Sequence, residues 1–124
     1  MNKKIILLID DHKGFRQMLR TFIEDQFQDI EIIEAASGEE GVEMAKQIKP
    51  CIALIDIRLP KMDGLEAAKQ IKYYIPDCHN VTMSMFKQNG HDKFVAQEVV
   101  AFIEKDEIDS GLIPLLNKIL DGKQ

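Results

Sequence analysis

Short runs of consecutive apolar residues alternate along this chain with segments whose apolar residues recur at helical spacing. Residues 5–9 form such a run before Asp10 and Asp11, and residues 51–55 form another before Asp56. Short unbroken apolar runs are typical of strands that are buried on both faces of a sheet. The alternation of such strands with amphipathic helices restricts the chain to α/β folds.

The same pattern divides the whole chain into five strands and five helices. The strands are predicted at 4–9, 30–35, 51–55, 81–85 and 99–103. The helices are predicted at 15–27, 37–48, 65–74 and 90–97, the last of these being the weakest, and from residue 109 or 110 to 120.

Three positions carry expectations about the ends and faces of these helices. Ser37 and Glu40 have the spacing of a capping box at the start of the second helix. Tyr74 is expected to face the core from the end of the third helix. Asp109 or Ser110 is expected to cap the last helix.

Strands that alternate with helices imply right-handed crossovers and a parallel sheet with helices on both faces. Five such units fit a flavodoxin-like, doubly wound (βα)5 fold with strand order 2-1-3-4-5. The run at 30–35 is interrupted by polar residues, as an edge strand should be, whereas 4–9 and 51–55 are more uniformly apolar. A length of 124 residues predicts one domain over 1–124.

Charge and composition argue against several classes of partner and site. With 16 basic and 21 acidic side chains, the net charge of −5 gives no general attraction for nucleic acid or an anionic membrane. The apolar run at 5–9 is too short for a signal peptide, and no run reaches the roughly 18 residues of a membrane helix. Cys51 and Cys78 lack the spacing of a zinc or redox motif. We therefore expect a cytoplasmic protein with small, buried cysteines.

Three carboxylates follow two strands that the predicted order makes neighbours. Asp10 and Asp11 follow the first strand and Asp56 follows the third, at the switch point where open α/β sheets bind ligands. Crowding three like charges is costly without a cation, and carboxylates with water and phosphate suit Mg²⁺. We therefore predict a Mg²⁺ site, the simpler alternative being an Asp11 that only stabilises the first helix. His12 is predicted to be a surface or helix-start residue, because this cation takes oxygen ligands.

Two further polar residues are predicted at the same edge of the sheet. Ser84 lies in the fourth strand, towards its end, and Lys105 follows the fifth. A carboxylate can accept a phosphoryl group as a mixed anhydride, whose oxygens a cation, an ammonium and a hydroxyl can then bind. Each residue alone has an ordinary explanation, but their placement at successive strand ends predicts phosphoryl transfer.

At these positions the chain resembles the receiver domains of two-component response regulators. The resemblance rests on Ile-Asp-Asp-His at 9–12, Ala-Leu-Ile-Asp-Ile-Arg-Leu-Pro-Lys-Met-Asp-Gly at 53–64, Ser84, and Phe-Ile-Glu-Lys at 102–105. It covers essentially the whole chain, and its most specific part is Asp-x-x-Leu-Pro-x-Met-Asp-Gly.

The resemblance implies a phosphorylation-activated signalling switch rather than an enzyme. Asp56 matches the acceptor of a phosphoryl group from a histidine kinase or a histidine phosphotransfer protein. Asp10 and Asp11 match the acidic pair that holds Mg²⁺ together with the acceptor, and Arg58 matches the position whose backbone carbonyl also binds the metal. Lys105 matches the lysine that pairs with the phosphoryl group.

Two more positions match the switch residues of the family. Ser84 matches the switch Thr/Ser, and Phe102 matches the aromatic residue whose ring turns inward when the hydroxyl moves toward the phosphate. Ordinary edge-strand packing is the alternative for Phe102. The segment between them departs from the family pattern, because Met85 replaces a small residue and 97–101 lacks the usual glycine and alanine pattern.

Two other functions stay open at this point. The departures around Met85 are compatible with a receiver fold that works as a protein-interaction module largely without phosphorylation. An aspartate-nucleophile phosphatase is less consistent, because Arg58 stands where such enzymes carry an acid for proton transfer. No DNA-binding or catalytic segment is recognised after Lys105, so we expect the signal to pass to a downstream protein or to an output domain outside this chain.

Overall fold

The structure, a computed structural model, describes residues 3–85 and 97–122. Its strands are β1 (Lys4–Ile9), β2 (Ile30–Ala35), β3 (Ile52–Asp56), β4 (His79–Ser84) and β5 (Ala101–Glu104). The α-helices of these residues are α1 (Lys13–Glu24), α2 (Gly38–Ile48), α3 (Gly64–Tyr74) and α4 (Ile113–Leu120). A 3₁₀ turn (Lys105–Glu107) and a π turn (Ile108–Leu112) connect β5 to α4. The helix predicted at 90–97 lies outside the described residues, apart from Gln97.

The strands form one parallel sheet in the order β2-β1-β3-β4-β5, which confirms the predicted doubly wound fold. β2 is an edge strand, as its polar interruptions indicate. β1 and β3 lie inside the sheet, and β3 and the last four residues of β1 are buried, as their apolar runs predict. Ile9 is opposite Ile55, so the carboxyl ends of β1 and β3 lie side by side.

The core has two layers, because alternate residues of a strand point to opposite faces of the sheet. Ile6 and Leu8 of β1 belong to the layer covered by α1 and α4. Leu7 and Ile9 belong to the layer covered by α2 and α3. Each fully buried aliphatic side chain contributes about 1.5–3 kcal/mol to folding, so these layers hold the strand ends in place.

The start of α2 follows its sequence pattern. The Ser37 hydroxyl accepts a hydrogen bond from the Glu40 N–H at 3.1 Å, and Glu40 Oε1 accepts one from the Ala36 N–H at 2.7 Å. The helix ends at Ile48, and its C-cap Lys49 has a left-handed backbone with φ of 50°, directly before Pro50. The predicted capping interaction of Ser37 is therefore confirmed.

Two expectations about helices are wrong. Tyr74 is 50% exposed, because Ile75 takes the buried position where α3 ends. Neither Asp109 nor Ser110 caps α4, since both are exposed within the preceding π turn and no side chain caps that helix. Ile108 is buried, so helical winding begins before this polar pair.

Both cysteines are free thiols, but only Cys78 is buried as predicted, because Cys51, directly before β3, is partly exposed. Burial raises the pKa of the Cys78 thiol to about 12, so this side chain is a neutral core residue at physiological pH. Among the described residues, no helix is both long enough and apolar enough to cross a membrane.

Candidate functional site

The acidic side chains after β1 and β3 form one cluster. Asp10 and Asp11 follow β1, and Asp56 is the last residue of β3. Four possible ligand atoms, one from each of these residues and one from His12, lie within 4.8 Å of one another. Asp10 and Asp56 are buried, whereas Asp11 is exposed at the outer side of the cluster.

Lys105 places an ammonium between the two buried carboxylates. Its Nζ lies 2.7 Å from Asp10 Oδ2 and 3.4 Å from Asp56 Oδ2. The same atom lies 4.1 Å from the centre of the Phe15 ring, a cation–π contact. Only 7% of the Lys105 side chain is exposed, so its charge is held at the cluster.

The three carboxylates and one ammonium give this cluster a formal charge of −2. Burial raises the pKa of the Asp56 carboxyl above its usual value, although the Arg58 backbone N–H and Lys105 oppose that shift. A divalent cation would balance the remaining charge, and the donor set of carboxylate oxygens fits a hard ion such as Mg²⁺. The residues present therefore fit the metal that the sequence predicts.

The Asp56→Asn variant is expected to be more stable than the wild type at neutral pH without divalent metal. The folded-state pKa lies above the unfolded-state value, so ionised Asp56 destabilises the fold at neutral pH. That cost disappears as the pH falls toward the unfolded-state pKa, where both states are protonated. Urea unfolding in EDTA, from neutral pH down to the unfolded-state pKa, measures the difference in stability between Asp56→Asn and the wild type. A difference that grows toward acid would contradict the raised pKa of Asp56.

A salt-bridged clamp, formed by Arg16, Arg20 and Glu34, holds the backbone at the end of β1. Arg16 of α1 donates from Nη1 to the Asp10 carbonyl oxygen at 2.6 Å and from Nε to Glu34 Oε1 at 2.8 Å. Arg20 donates from Nε to Glu34 Oε2 at 2.7 Å. Burial alone raises the pKa of Glu34, but the hydrogen bonds from Arg20 and Arg16 outweigh it and hold that pKa below its usual value. Glu34 therefore stays ionised and fixes Arg16 against Asp10.

The loop after β3 orients the Asp56 side chain. The Arg58 backbone N–H donates to Asp56 Oδ1 at 3.1 Å. Asp63 caps α3 by accepting the Glu66 N–H at 2.9 Å, and the Gly64 N–H donates to the Ile57 carbonyl at 2.9 Å. The Asp-Gly pair of the sequence motif thus starts α3 against the end of β3.

The remaining predicted site residues lie along β4, β5 and the residues that follow. Ser84 is fully buried at the end of β4, one residue beyond Met83, which is opposite Asp56. Phe102 is half-buried in β5, opposite Thr82. Met85 is 67% exposed, and it borders a cleft of about 600 Å³ whose walls include Lys105.

Sequence patterns do not single out Phe15, Arg16 or Glu34 as parts of the site. Phe15 matches the apolar face of α1, and its ring also packs against the core. The one available signal for this clamp is two arginines four residues apart on α1, with two glutamates, Glu31 and Glu34, in the following strand.

Comparison with known proteins places these features in a family. A family model described as the response regulator receiver domain matches residues 6–117. The transcriptional regulatory protein LiaR of Bacillus subtilis is 43% identical over 82 residues, which are 65% of this chain and 38% of LiaR. The response regulator protein VraR of Staphylococcus epidermidis is 34% identical over 120 residues, which are 95% of this chain and 57% of VraR. The chain thus matches less than two-thirds of the length of either relative.

A solved structure shares the fold over nearly the full chain. The response regulator protein TrrA of Thermotoga maritima, in complex with Mg²⁺-BeF, superposes with a TM-score of 0.82 and 22% sequence identity. The superposition covers 94% of this chain and 98% of TrrA. Since the family match at 6–117 includes the acidic cluster and Lys105, the chain belongs to the receiver domain family of two-component response regulators.

Proposed function

We propose that this domain is a phosphorylation-activated switch whose phosphoacceptor is Asp56. The observation that carries the proposal is the arrangement of the Asp56 carboxylate, which is buried and held by a donor at each oxygen. Oδ1 accepts the Arg58 N–H at 3.1 Å, and Oδ2 lies 3.4 Å from Lys105 Nζ. These donors orient the carboxylate while the exposed side of the cluster stays open to a phosphodonor.

The proposed donor is the phosphohistidine of a histidine kinase or of a histidine phosphotransfer protein. An Asp56 oxygen forms a bond to phosphorus as the bond from phosphorus to the imidazole nitrogen breaks, and that nitrogen keeps the electron pair. The product is an acyl phosphate on Asp56. The Lys105 ammonium can then exchange its contact with Asp10 for one with a phosphoryl oxygen.

Asp10, Asp11, Asp56 and the backbone carbonyl of Arg58 would hold Mg²⁺. When bound, the metal would neutralise charge on the carboxylates and on the transferred phosphoryl group. TrrA, whose fold this chain shares, forms a complex with Mg²⁺-BeF, which supports a Mg²⁺ site in the present domain. Asp10 needs no large movement, because Arg16 holds its backbone and Lys105 its side chain.

Signalling would begin at Ser84 and Phe102. Ser84 lies at the sheet edge near the acceptor, and Phe102 lies on the adjacent strand β5. A phosphoryl group at Asp56 stabilises those conformations in which the Ser84 hydroxyl binds it, and the Phe102 ring follows. The altered surface would act on a downstream protein or on an output region. The regulators LiaR and VraR extend beyond the parts that match this chain, which leaves length for such a region.

Intact-mass measurement after incubation with Mg²⁺ and acetyl phosphate tests this function. We expect one phosphoryl adduct in the wild type, stable in acid and labile in base, and no adduct in Asp56→Asn. Asp77→Asn is the matched control, because Asp77 is exposed between α3 and β4 and should keep the adduct.

Other outcomes would contradict the proposal in distinct ways. A wild type without any adduct would favour an interaction module that works without phosphorylation. Continuous release of phosphate without an accumulating adduct would favour a phosphatase. An adduct that persists in Asp56→Asn would place the acceptor elsewhere.

A further inference from the structure

The imidazole of His12 lies beside the acidic cluster on its exposed side. Its Nδ1 is 3.3 Å from Asp11 Oδ1 and 3.4 Å from Asp10 Oδ1. The side chain is 66% exposed, as expected for a surface residue, yet the short distances place a nitrogen donor among the carboxylate oxygens. The cluster therefore offers a mixed set of oxygen and nitrogen ligands.

The spacing of these atoms is close to that around one metal ion. Two ligands at right angles, each about 2.1 Å from a metal, are about 3.0 Å apart, and opposite ligands are about 4.2 Å apart. The distances from His12 Nδ1 to the two acids are 3.3 and 3.4 Å, and all four ligand atoms lie within 4.8 Å. Shifts of a few tenths of an ångström would bring these atoms to the spacing of metal ligands. The side chains of His12 and Asp11 are exposed and can make such shifts.

The backbone keeps His12 at this position. His12 is the N-cap of α1, and its N–H donates to Asp10 Oδ1 at 2.8 Å. The Asp10 backbone is in turn held by Arg16. Only side-chain rotation is left for the imidazole, so little conformational entropy is lost when it binds a metal.

We infer that His12 is a further metal ligand, joining Asp10, Asp11 and Asp56 when an imidazole-binding metal such as Co²⁺, Ni²⁺ or Zn²⁺ occupies the site. The inference rests on the cation site of the proposed function and extends it to a second class of metal. Mg²⁺ prefers oxygen ligands and keeps several waters, so it gains little from an imidazole. The later divalent transition metals bind imidazole well, so the contribution of His12 depends on the metal.

Titration of untagged protein with Co²⁺ and, separately, with Mg²⁺ tests the inference. In His12→Gln we expect the affinity for Co²⁺ to fall at least tenfold, whereas the affinity for Mg²⁺ stays within about twofold. The loss of Co²⁺ affinity in His12→Gln is compared with the loss of Mg²⁺ affinity in the same variant. The absolute affinities are not diagnostic, because carboxylates alone also favour Co²⁺ over Mg²⁺. Proton NMR of the Co²⁺ form should show a strongly shifted imidazole resonance that is missing from His12→Gln.

His79→Gln is the control for unrelated histidines, since His79 begins β4 at the opposite edge of the sheet from the cluster. The Co²⁺ affinity of this variant should match that of the wild type. Equal Co²⁺ affinity in His12→Gln and wild type would overturn the inference while the Mg²⁺ site and the phosphorylation of Asp56 stand. A wild type that binds neither metal would overturn both this inference and the proposed cation site.

Discussion

The Lys105→Met variant is expected to lose about 3 kcal/mol of unfolding free energy in metal-free buffer and to form the Asp56 adduct far more slowly. Lys105 is the ammonium that contacts both buried carboxylates, at 2.7 Å from Asp10 and 3.4 Å from Asp56. Without it, two negative charges stay buried with no cation, and removing one partner of a buried pair costs far more than losing an exposed salt bridge. Urea unfolding in EDTA measures the loss of stability.

Two comparisons separate this charge effect from the loss of the lysine side chain's packing. Adding Mg²⁺ should restore part of the stability of Lys105→Met, because a cation again balances the acids. Adding Asp56→Asn to Lys105→Met should also restore part of it, since one orphaned charge is gone. Lys118→Met, at an exposed position of α4, should unfold like the wild type. If neither Mg²⁺ nor Asp56→Asn helps, lost packing rather than charge is the cause.

Replacing Gly64 by alanine is expected to destabilise the fold by about 3 kcal/mol and to slow adduct formation at Asp56. A Cβ at Gly64 would overlap the Asp56 carbonyl oxygen and would lie 2.7 Å from Ile57 Cα. These are backbone atoms of the sheet and its connecting loop, so they cannot move aside as a flexible side chain could. The start of α3 or the end of β3 must shift, and either shift moves the acceptor.

Gly14→Ala is the matched control for Gly64→Ala. Gly14 also lies in the first turn of a helix, α1, and an added Cβ there would meet nothing within 4 Å. Alanine at that position should be neutral or stabilise by up to about 1 kcal/mol, because it restricts the unfolded chain more than glycine does. Urea unfolding and the rate of adduct formation should therefore change only in Gly64→Ala. Equal behaviour of the two variants would refute the close-contact argument.

The convergence of Asp10, Asp11 and Asp56 could be predicted from sequence because it depends only on strand order. Parallel strands bring their carboxyl ends to one edge, so a residue directly after each strand has a known position once the order is known. The same logic places Ser84 and Lys105 at this edge. It gives no distances, and therefore no indication that Lys105 would contact Asp10 more closely than Asp56.

Helix ends were less predictable where packing and local signals compete. Asp109 and Ser110 have the residue types of a helix cap, but Ile108 is buried, so winding starts earlier. Ile75 rather than Tyr74 faces the core for a similar reason, because the backbone leaves the helix between them. Burial of a large apolar side chain contributes about 1.5–3 kcal/mol, more than the roughly 1 kcal/mol of a cap.

The sequence by itself determined the fold class, the strand order and the edge of the sheet at which the acids gather. These follow from local periodicity, from chain connectivity and from the family motif around Asp56. Only the tertiary structure decided that Glu34 holds Arg16 against the Asp10 carbonyl and that Phe15 lies under the Lys105 ammonium. The reason is physical: periodicity reports which face of an element is buried, whereas contacts between side chains distant in sequence depend on how the packed elements are rotated and spaced.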